Sequence, residues 1–354
     1  QLEIIQSVTS GKDTLGLMPT GGGKSITFQV AGLSKEGICI VVTPLIALMK
    51  DQVDALRNKN IKALAIYSGM NYREIDIAYD NCMFGDVKFL YISPERLKTD
   101  MFREKIRNMN VNLLAIDEAH CISQWGYDFR PSYMEIIAVR EVLPQVPILA
   151  LTATATPDVV SDIQNKLGFK VHNVLQKSFE RKNLTYIVKQ KEDKLGYILN
   201  ICKKIKGAGI VYVKTRKQTK EIALALREMG IYADFYHAGL DANTRTVKQD
   251  AWMKAPNTVM ISTNAFGMGI DKPNVRFVLH LDMPESLEAY FQEAGRAGRD
   301  ELEAFAVLLY NKKDIANIKA NFTKKFPDYK YIKQVYEALA NYYQIEVGAA
   351  KGNV

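Results

Sequence analysis

Apolar residues along this chain gather into short, nearly unbroken runs, separated by longer mixed segments compatible with helices. The runs are Thr14 to Met18, ICIVVTP, KFLYISP, LLAIDEAH and ILALTATAT in the first half, then GIVYVKT, TVMISTNAF, RFVLHLD and FAVLLY in the second. A run that is apolar throughout predicts a strand covered on both faces, and its alternation with helix-length segments predicts a parallel α/β sheet. The fold expected is α/β, with two tandem parallel α/β domains and a short helical C-terminal extension. The polar string KSFERKN, Lys177 to Asn183, separates the two series, so the division expected is 1–178, 179–310 and 311–354. In the basic extension Ile332, Val335, Tyr336, Leu339 and Tyr343 share a helical stripe, which predicts an amphipathic helix docked on the second domain.

Composition narrows the picture. The 354 residues suffice for two domains and a tail, and 47% hydrophobic content is ordinary for globular domains. An excess of 47 Lys and Arg over 39 Asp and Glu gives a net charge of +8, which suits a polyanionic partner. Cys39, Cys82, Cys121 and Cys202 lack C-x-x-C spacing, so a reducing, intracellular compartment is expected and zinc is not. The run ICIVVTPLIALM, broken by Thr43 and Pro44, falls short of the about 18–20 residues of a membrane span, and no membrane partner is expected. No signal-peptide pattern opens the chain, and a start at Gln1 rather than Met reads as trimmed.

Two strings carry the chemistry. In MPTGGGKS, Gly21, Gly22 and Gly23 let the backbone turn its N–H groups toward a polyanion, with Met18, Pro19 and Thr20 completing the loop. Lys24 places a point charge near the β- and γ-phosphates of a nucleotide, and Ser25 offers a hydroxyl to Mg²⁺. The strict pattern has Gly where this chain has Met18, so the match is partial. In DEAH, Asp117 and Glu118 end a buried run, where α/β sheets present ligand groups. Asp117 is expected to hold Mg²⁺ through water, and Glu118 to orient and deprotonate an attacking water.

In combination MPTGGGKS, DEAHCISQWG, LTATAT, AFGMGIDKPNVRFVLH and QEAGRAGRD resemble the superfamily 2 helicases, and specifically the RecQ DNA helicases, from Gln1 to about Tyr310. The resemblance implies two RecA-like domains with ATP and Mg²⁺ bound in the cleft between them. It implies that Gln1 reads the adenine edge, although the family's aromatic residue and Arg upstream of this Gln are missing. It implies that Arg296 and Arg299, three positions apart and on one face if helical, are arginine fingers with Gln292 near the water. Thr152, Thr154 and His120 would couple hydrolysis to nucleic acid, while Gly267, Gly269 and Asp271 would line the nucleotide, Asp271 at the ribose.

After DEAH the segment CISQWGYDFRPSY interleaves Trp125, Tyr127, Phe129 and Tyr133 with Gln124 and Arg130, giving faces for base stacking beside a cation for phosphate. It resembles the aromatic-rich loop by which RecQ proteins sense single-stranded DNA, except that Tyr127 stands where many relatives carry His. Further backbone-directed contacts are expected from Thr43, Pro44, Ser93, Arg96, Lys214, Thr215, Arg216, His237 and Gly239, with Lys312, Lys313, Lys324 and Lys325 as candidates in the extension. The zinc platform of typical RecQ proteins needs four cysteines beyond Tyr310, whereas Cys202 is the last here.

The function expected is a monomeric motor that couples Mg-ATP hydrolysis to 3′ to 5′ movement on single-stranded and tailed duplex DNA in recombination and repair. It would act at the nucleoid in the cytoplasm of a bacterium or in a eukaryotic nucleus. The alternatives are a DNA-stimulated translocase that does not unwind and a non-hydrolysing nucleic-acid-binding module. Protein partners cannot be read from the sequence.

Overall fold

The computed structural model describes residues 1–344 except Thr20, Tyr127, Thr154 and 268–271; the side chains of Ala47 and Ala242 are also outside the description. The expectations for Thr20, Tyr127, Thr154, Gly269 and Asp271 therefore lie outside the described residues.

The first sheet contains β1 (Thr14–Leu17), β2 (Ile38–Val42), β3 (Ala63–Ile66), β4 (Phe89–Ile92), β5 (Val111–Ile116), β6 (Ile148–Thr152) and β7 (Val174–Gln176). The second contains β8 (Leu184–Gln190), β9 (Ala208–Tyr212), β10 (Ala233–Tyr236), β11 (Val259–Ser262), β12 (Val275–His280) and β13 (Ala304–Tyr310). Their orders are β3-β4-β2-β5-β6-β1-β7 and β10-β11-β9-β12-β13-β8, and every described pairing is parallel. With the first sheet go α1 (Leu2–Thr9), α2 (Lys24–Leu33), α3 (Ile46–Arg57), α4 (Tyr72–Phe84), α5 (Asp100–Ile106), α6 (Glu135–Val142) and α7 (Pro157–Lys166). The rest are α8 (Lys194–Lys204), α9 (Arg216–Glu228), α10 (Ala242–Lys254), α11 (Leu287–Ala294), α12 (Lys312–Lys325) and α13 (Tyr329–Tyr342).

Continuous apolar runs are explained by two-sided burial. Along β2, Ile38, Ile40 and Val42 enter one core cluster while Cys39 and Val41 enter the cluster on the opposite face. The strand period of two sends alternate residues to opposite faces, and here both faces are dry. Each such Ile or Val contributes about 1.5–3 kcal/mol through burial. In the second sheet Ile210 and Tyr212 face one cluster and Val211 the other.

Four strands were not among the runs read from the sequence: β3, β7, β8 and β10. They are the four edge strands of the two sheets. An edge strand has one neighbour and partial cover, so β7, β8 and β10 stay mixed, β8 reading LTYIVKQ with Leu184 its one buried residue, while β3 is only the short stretch ALAI.

The extension differs from expectation. α13 forms where the stripe predicts it, but Ile332, Val335, Tyr336, Leu339 and Tyr343 are all exposed, so the helix is not docked on the second domain. The stripe suffices to shape a helix, whereas docking needs a free complementary face, and both faces of the second sheet already carry clusters of their own. The Lys194 to Asp314 ion pair, 2.6 Å, fastens the start of α12 to α8. No helix among the described residues is long and apolar enough to cross a membrane.

Candidate nucleotide site and nucleic-acid interface

The phosphate loop follows β1 at the carboxyl end of the first sheet. Its entry is fixed by Met18, whose N–H bonds Thr152 O at 3.1 Å and whose side chain is buried in the cluster that holds Ile4 and Phe28. A side chain at position 18 therefore packs inward, away from the loop's concave face. Gly23 caps α2 with φ at 76°, a left-handed conformation that glycine adopts without penalty, and no side chain caps the helix. The first turn of α2, with Lys24 at its start, thus presents N–H groups and the positive end of the helix dipole, which is the chemistry of an anion site. Gln1 Nε2 donates to Gly22 O at 2.9 Å, bringing the expected base-reading amide to the loop.

Ser25 lies one residue into α2, and Gln52 Nε2 donates to its Oγ at 3.0 Å. That donation occupies one lone pair of Ser25 Oγ, leaves the other for a cation, and restrains the hydroxyl. Sequence reasoning missed Gln52, which sits in the amphipathic α3 with no motif around it.

β5 delivers the acidic pair. Asp117 N bonds Val42 O at 2.9 Å, continuing the sheet, and Glu118 N bonds Asp117 Oδ1 at 3.0 Å. Glu118 is held at φ 48°, a strained conformation for a residue with a Cβ that costs about 1–2 kcal/mol. Tyr133 OH donates to Asp117 O at 2.8 Å and supports the pair from below. Burial raises the Asp117 pKa to about 6, and Glu118 adds to the rise while Lys24 opposes it. Burial also pushes Glu118 upward, but Lys24, His120 and Arg296 outweigh it and hold this carboxyl below its usual range. One buried carboxylate stays ionised and its neighbour resists ionisation. A hydroxyl and two carboxyls form a hard-oxygen donor set that fits magnesium, and the lysine beside the helix N-terminus fits the phosphates of a nucleotide. His120 Nδ1 lies 2.9 Å from Thr152 Oγ1 and 3.5 Å from Glu118 Oε2; burial lowers its pKa and keeps the ring neutral.

The second sheet brings the arginines. α11 ends at Ala294, so Arg296 and Arg299 lie in the turns beyond it and do not share a helix face, as the sequence suggested they might. Arg299 nonetheless crosses the phosphate loop: a Cβ added to Gly21 would lie 3.1 Å from Arg299 Cγ. Arg296 is buried, donates to Gly267 O and acts electrostatically on Glu118. Gly267 at φ 153° admits this contact, since a Cβ there would meet Arg296 Nε at 2.5 Å. Gln292 is half-buried on α11. The turn between the arginines is held by the string that separates the two sheets. Arg181 donates to Ala297 O at 3.1 Å and to Gly298 O at 2.5 Å, and Asn183 Nδ2 donates to Gly298 O at 2.7 Å. Phe179 meets the Phe291 ring edge-on at 5.9 Å. None of these was foreseen, because a polar linker carries no motif.

The loop after DEAH is anchored rather than free. Ser123 Oγ donates to Asp162 on α7 at 2.6 Å, Lys166 pairs with the same carboxylate at 3.1 Å, and Arg130 grips Asp128 at 3.0 Å. Trp125 stands 77% exposed with Gln124 beside it, and Phe129 is half-buried with the Lys166 ammonium 5.9 Å from its centroid. Tyr133 corrects the expectation of a stacking face, since it is fully buried in the core.

Other expected contacts divide in the same way. Lys214, Thr215 and Arg216 are exposed, and Pro44, Arg96 and His237 are half-buried. Thr215 spends its hydroxyl in a capping box with Gln218 at the start of α9. Arg96 donates to Tyr67 O at 3.1 Å. Ser93 and Thr152 are buried, so neither offers a surface to nucleic acid; Thr152 instead bonds His120. Strand ends in a parallel sheet are covered by the turns that follow them, and both residues sit at such ends.

Residues 1–163 match the family model described as DEAD/DEAH box helicase, and residues 190–301 match the helicase conserved C-terminal domain. The chain is 43% identical over 317 residues to the ATP-dependent DNA helicase RecQ of Pasteurella multocida, covering 89% of this chain and 50% of that protein. It is 46% identical over 318 residues to RecQ of Bacillus subtilis, covering 89% and 54%. The ATP-dependent helicase SGS1 of Saccharomyces cerevisiae is 38% identical over 338 residues, covering 92% and 23%. The chain thus spans about half the length of its bacterial relatives. Among solved structures, the DUF1998 helicase MrfA bound to DNA shares the fold at a TM-score of 0.75 and 16% identity, covering 90% of this chain and 50% of that one. A single-substitution variant of S. cerevisiae Dbp5 bound to RNA and ADP BeF3 does so at 0.67 and 20%, covering 92% and 88%.

Proposed function

The chain belongs to the RecQ family of DEAD/DEAH box helicases, and from that membership we propose that it is an ATP-driven motor that tracks single-stranded DNA from 3′ to 5′ and separates a tailed duplex. The observation that carries the reading is Arg299 of the second sheet lying across the phosphate loop of the first. We take 1–178 and 179–310 as the two motor domains and 311–354 as an appended helical segment.

In this reading Lys24 and the N–H groups of the first turn of α2 cradle the phosphates, and Ser25 and Asp117 are the residues that would hold magnesium. When bound, magnesium would supply Lewis acidity toward the phosphate oxygens. Glu118, kept ionised by Lys24, His120 and Arg296, takes the proton of the attacking water. Arg299 stabilises the charge that develops on the γ-phosphate, and Arg296 and Gln292 complete that side. Because Arg299 reaches the phosphate loop from the other domain, nucleotide and domain movement are coupled. Trp125, Phe129 and Arg130 receive the strand, and the anchored loop passes its position to His120 and Glu118. Exposed Lys214 and Arg216 contact phosphates without reading sequence, with Thr215 capping the helix that carries Arg216. Work on DNA assigns the protein to the nucleoid or the nucleus.

The test is ATP hydrolysis with and without single-stranded DNA, for wild type and Glu118→Gln. DNA-stimulated hydrolysis that the substitution abolishes is expected. No stimulation sinks the motor reading, and stimulation without unwinding of a 3′-tailed duplex selects a translocase.

A further inference from the structure

Three groups of the DEAH segment and its following loop converge beside the nucleotide site. His120 Nε2 lies 3.8 Å from Cys121 Sγ, which lies 3.7 Å from Asp128 Oδ2. The ligand atoms of the three residues fall within 4.8 Å of one another, the one such group of His, Cys and acidic residues among the described residues. We propose that they form an accessory site for a soft divalent ion of the zinc or cobalt class, held by His120 Nε2, Cys121 Sγ and the Asp128 carboxylate.

Four features support the assignment. Tetrahedral zinc, with bonds of about 2.0 Å to N and O and 2.3 Å to S, spaces its ligand atoms by about 3.3–3.6 Å, so the two contacts of Cys121 Sγ need a contraction of a few tenths of an ångström, and the His120 to Asp128 spacing, within 4.8 Å, closes by rotation of the half-exposed Asp128 side chain. The imidazole is already oriented for metal binding, because Nδ1 faces Thr152 Oγ1 at 2.9 Å and leaves Nε2 toward the sulfur. Metal-bound histidines are held by such a bond at their other nitrogen. His120 and Cys121 are buried while Asp128 is half-exposed, which gives a path from solvent. Thiolate and imidazole favour zinc or cobalt over magnesium, so the site does not compete for the nucleotide's metal.

Binding forms an Sγ–metal bond as the Cys121 thiol proton leaves to solvent, with no change of oxidation state. Arg130 opposes it. Its Nε and Nη2 both donate to Asp128 Oδ2, at 3.2 and 3.0 Å, so guanidinium and metal are alternative partners of one carboxylate. Affinity is therefore modest, and an ion that does bind fastens the loop to the turn that carries Glu118. The absence of C-x-x-C pairs is no obstacle, since adjacent His120 and Cys121 gain their third ligand through the fold of the loop.

The test is titration of Co²⁺ into the metal-stripped, nucleotide-free chain, read by thiolate-to-cobalt charge-transfer absorption. A saturable band of about one equivalent that Zn²⁺ displaces is expected, lost in Cys121→Ser and weakened about tenfold or more in Asp128→Asn. Arg130→Gln is expected to tighten binding. Absence of a saturable band, or a band unchanged by Cys121→Ser, overturns the site. Asp128→Asn keeps thiol and imidazole, so unchanged affinity there overturns it even where Cys121→Ser fails to fold. The absorption needs no ATP, so failure of the motor reading leaves this result standing, and the reverse holds too.

Discussion

Asp117 and Glu118 are chain neighbours whose carboxyls shift in opposite directions, because only Glu118 is surrounded by Lys24, His120 and Arg296 strongly enough to offset burial. The rise of Asp117 to about 6 has a consequence for stability. A folded pKa above the unfolded value of about 3.9 means a contribution fully present below pH ~4 and lost as pH rises through about 6. At pH 7.5 the free protein carries a buried charge that Asn would remove. Asp117→Asn is therefore expected to stabilise the nucleotide-free, magnesium-free protein by up to about 3 kcal/mol at pH 7.5, with the gain vanishing near pH ~4; thermal melts at both pH values check this. The same substitution should abolish hydrolysis. Gln52 acts at one remove, through its bond to Ser25 Oγ. Gln52→Ala is expected to raise the free Mg²⁺ needed for half-maximal hydrolysis by about three- to tenfold, the equivalent of one neutral hydrogen bond of about 0.5–1.5 kcal/mol. An unchanged magnesium dependence would remove Gln52 from this role.

Among the elements, legibility followed burial. Central strands β2, β4 and β5 announced themselves as apolar runs because both faces are packed, whereas the edge strands β7, β8 and β10 carry mixed sequences and the edge strand β3 is a four-residue ALAI too short to stand out. α13 shows the converse: its periodicity predicted a helix correctly, but periodicity says nothing about what the apolar stripe touches. The loop from Ser123 to Arg130 depends on α7, since Ser123 Oγ, fully buried, and Lys166 both reach Asp162. Ser123→Ala removes a hydrogen bond to a charged group, about 1.5–3 kcal/mol, and loosens the loop from that helix. Hydrolysis with single-stranded DNA should fall several-fold while hydrolysis without DNA stays unchanged; equal loss in both assays would make the contact merely structural.

At the scale of the whole molecule, two sheets share one candidate site, and the segment between them helps build it. Arg181 and Asn183 hold the Ala297 to Gly298 turn, which sets where Arg296 and Arg299 emerge. Arg181→Ala is expected to lower DNA-stimulated kcat by about tenfold to a hundredfold with little change in the KM for ATP, short of the about 10³–10⁵ that loss of an arginine finger costs. Steady-state kinetics beside Arg299→Ala would check this, and a pure KM effect would refute it. The amino-acid sequence alone determined the parallel α/β class, the phosphate loop and the acidic pair, because backbone-directed phosphate binding and two-sided strand burial each demand particular residues close together in the chain. The tertiary structure decided that Gln52 supports Ser25, that Tyr133 belongs to the core, that Ser93 and Thr152 are covered, and that the linker seats the arginines. Those are contacts between positions far apart in the chain or made by ordinary residue types, and only folding gives them neighbours.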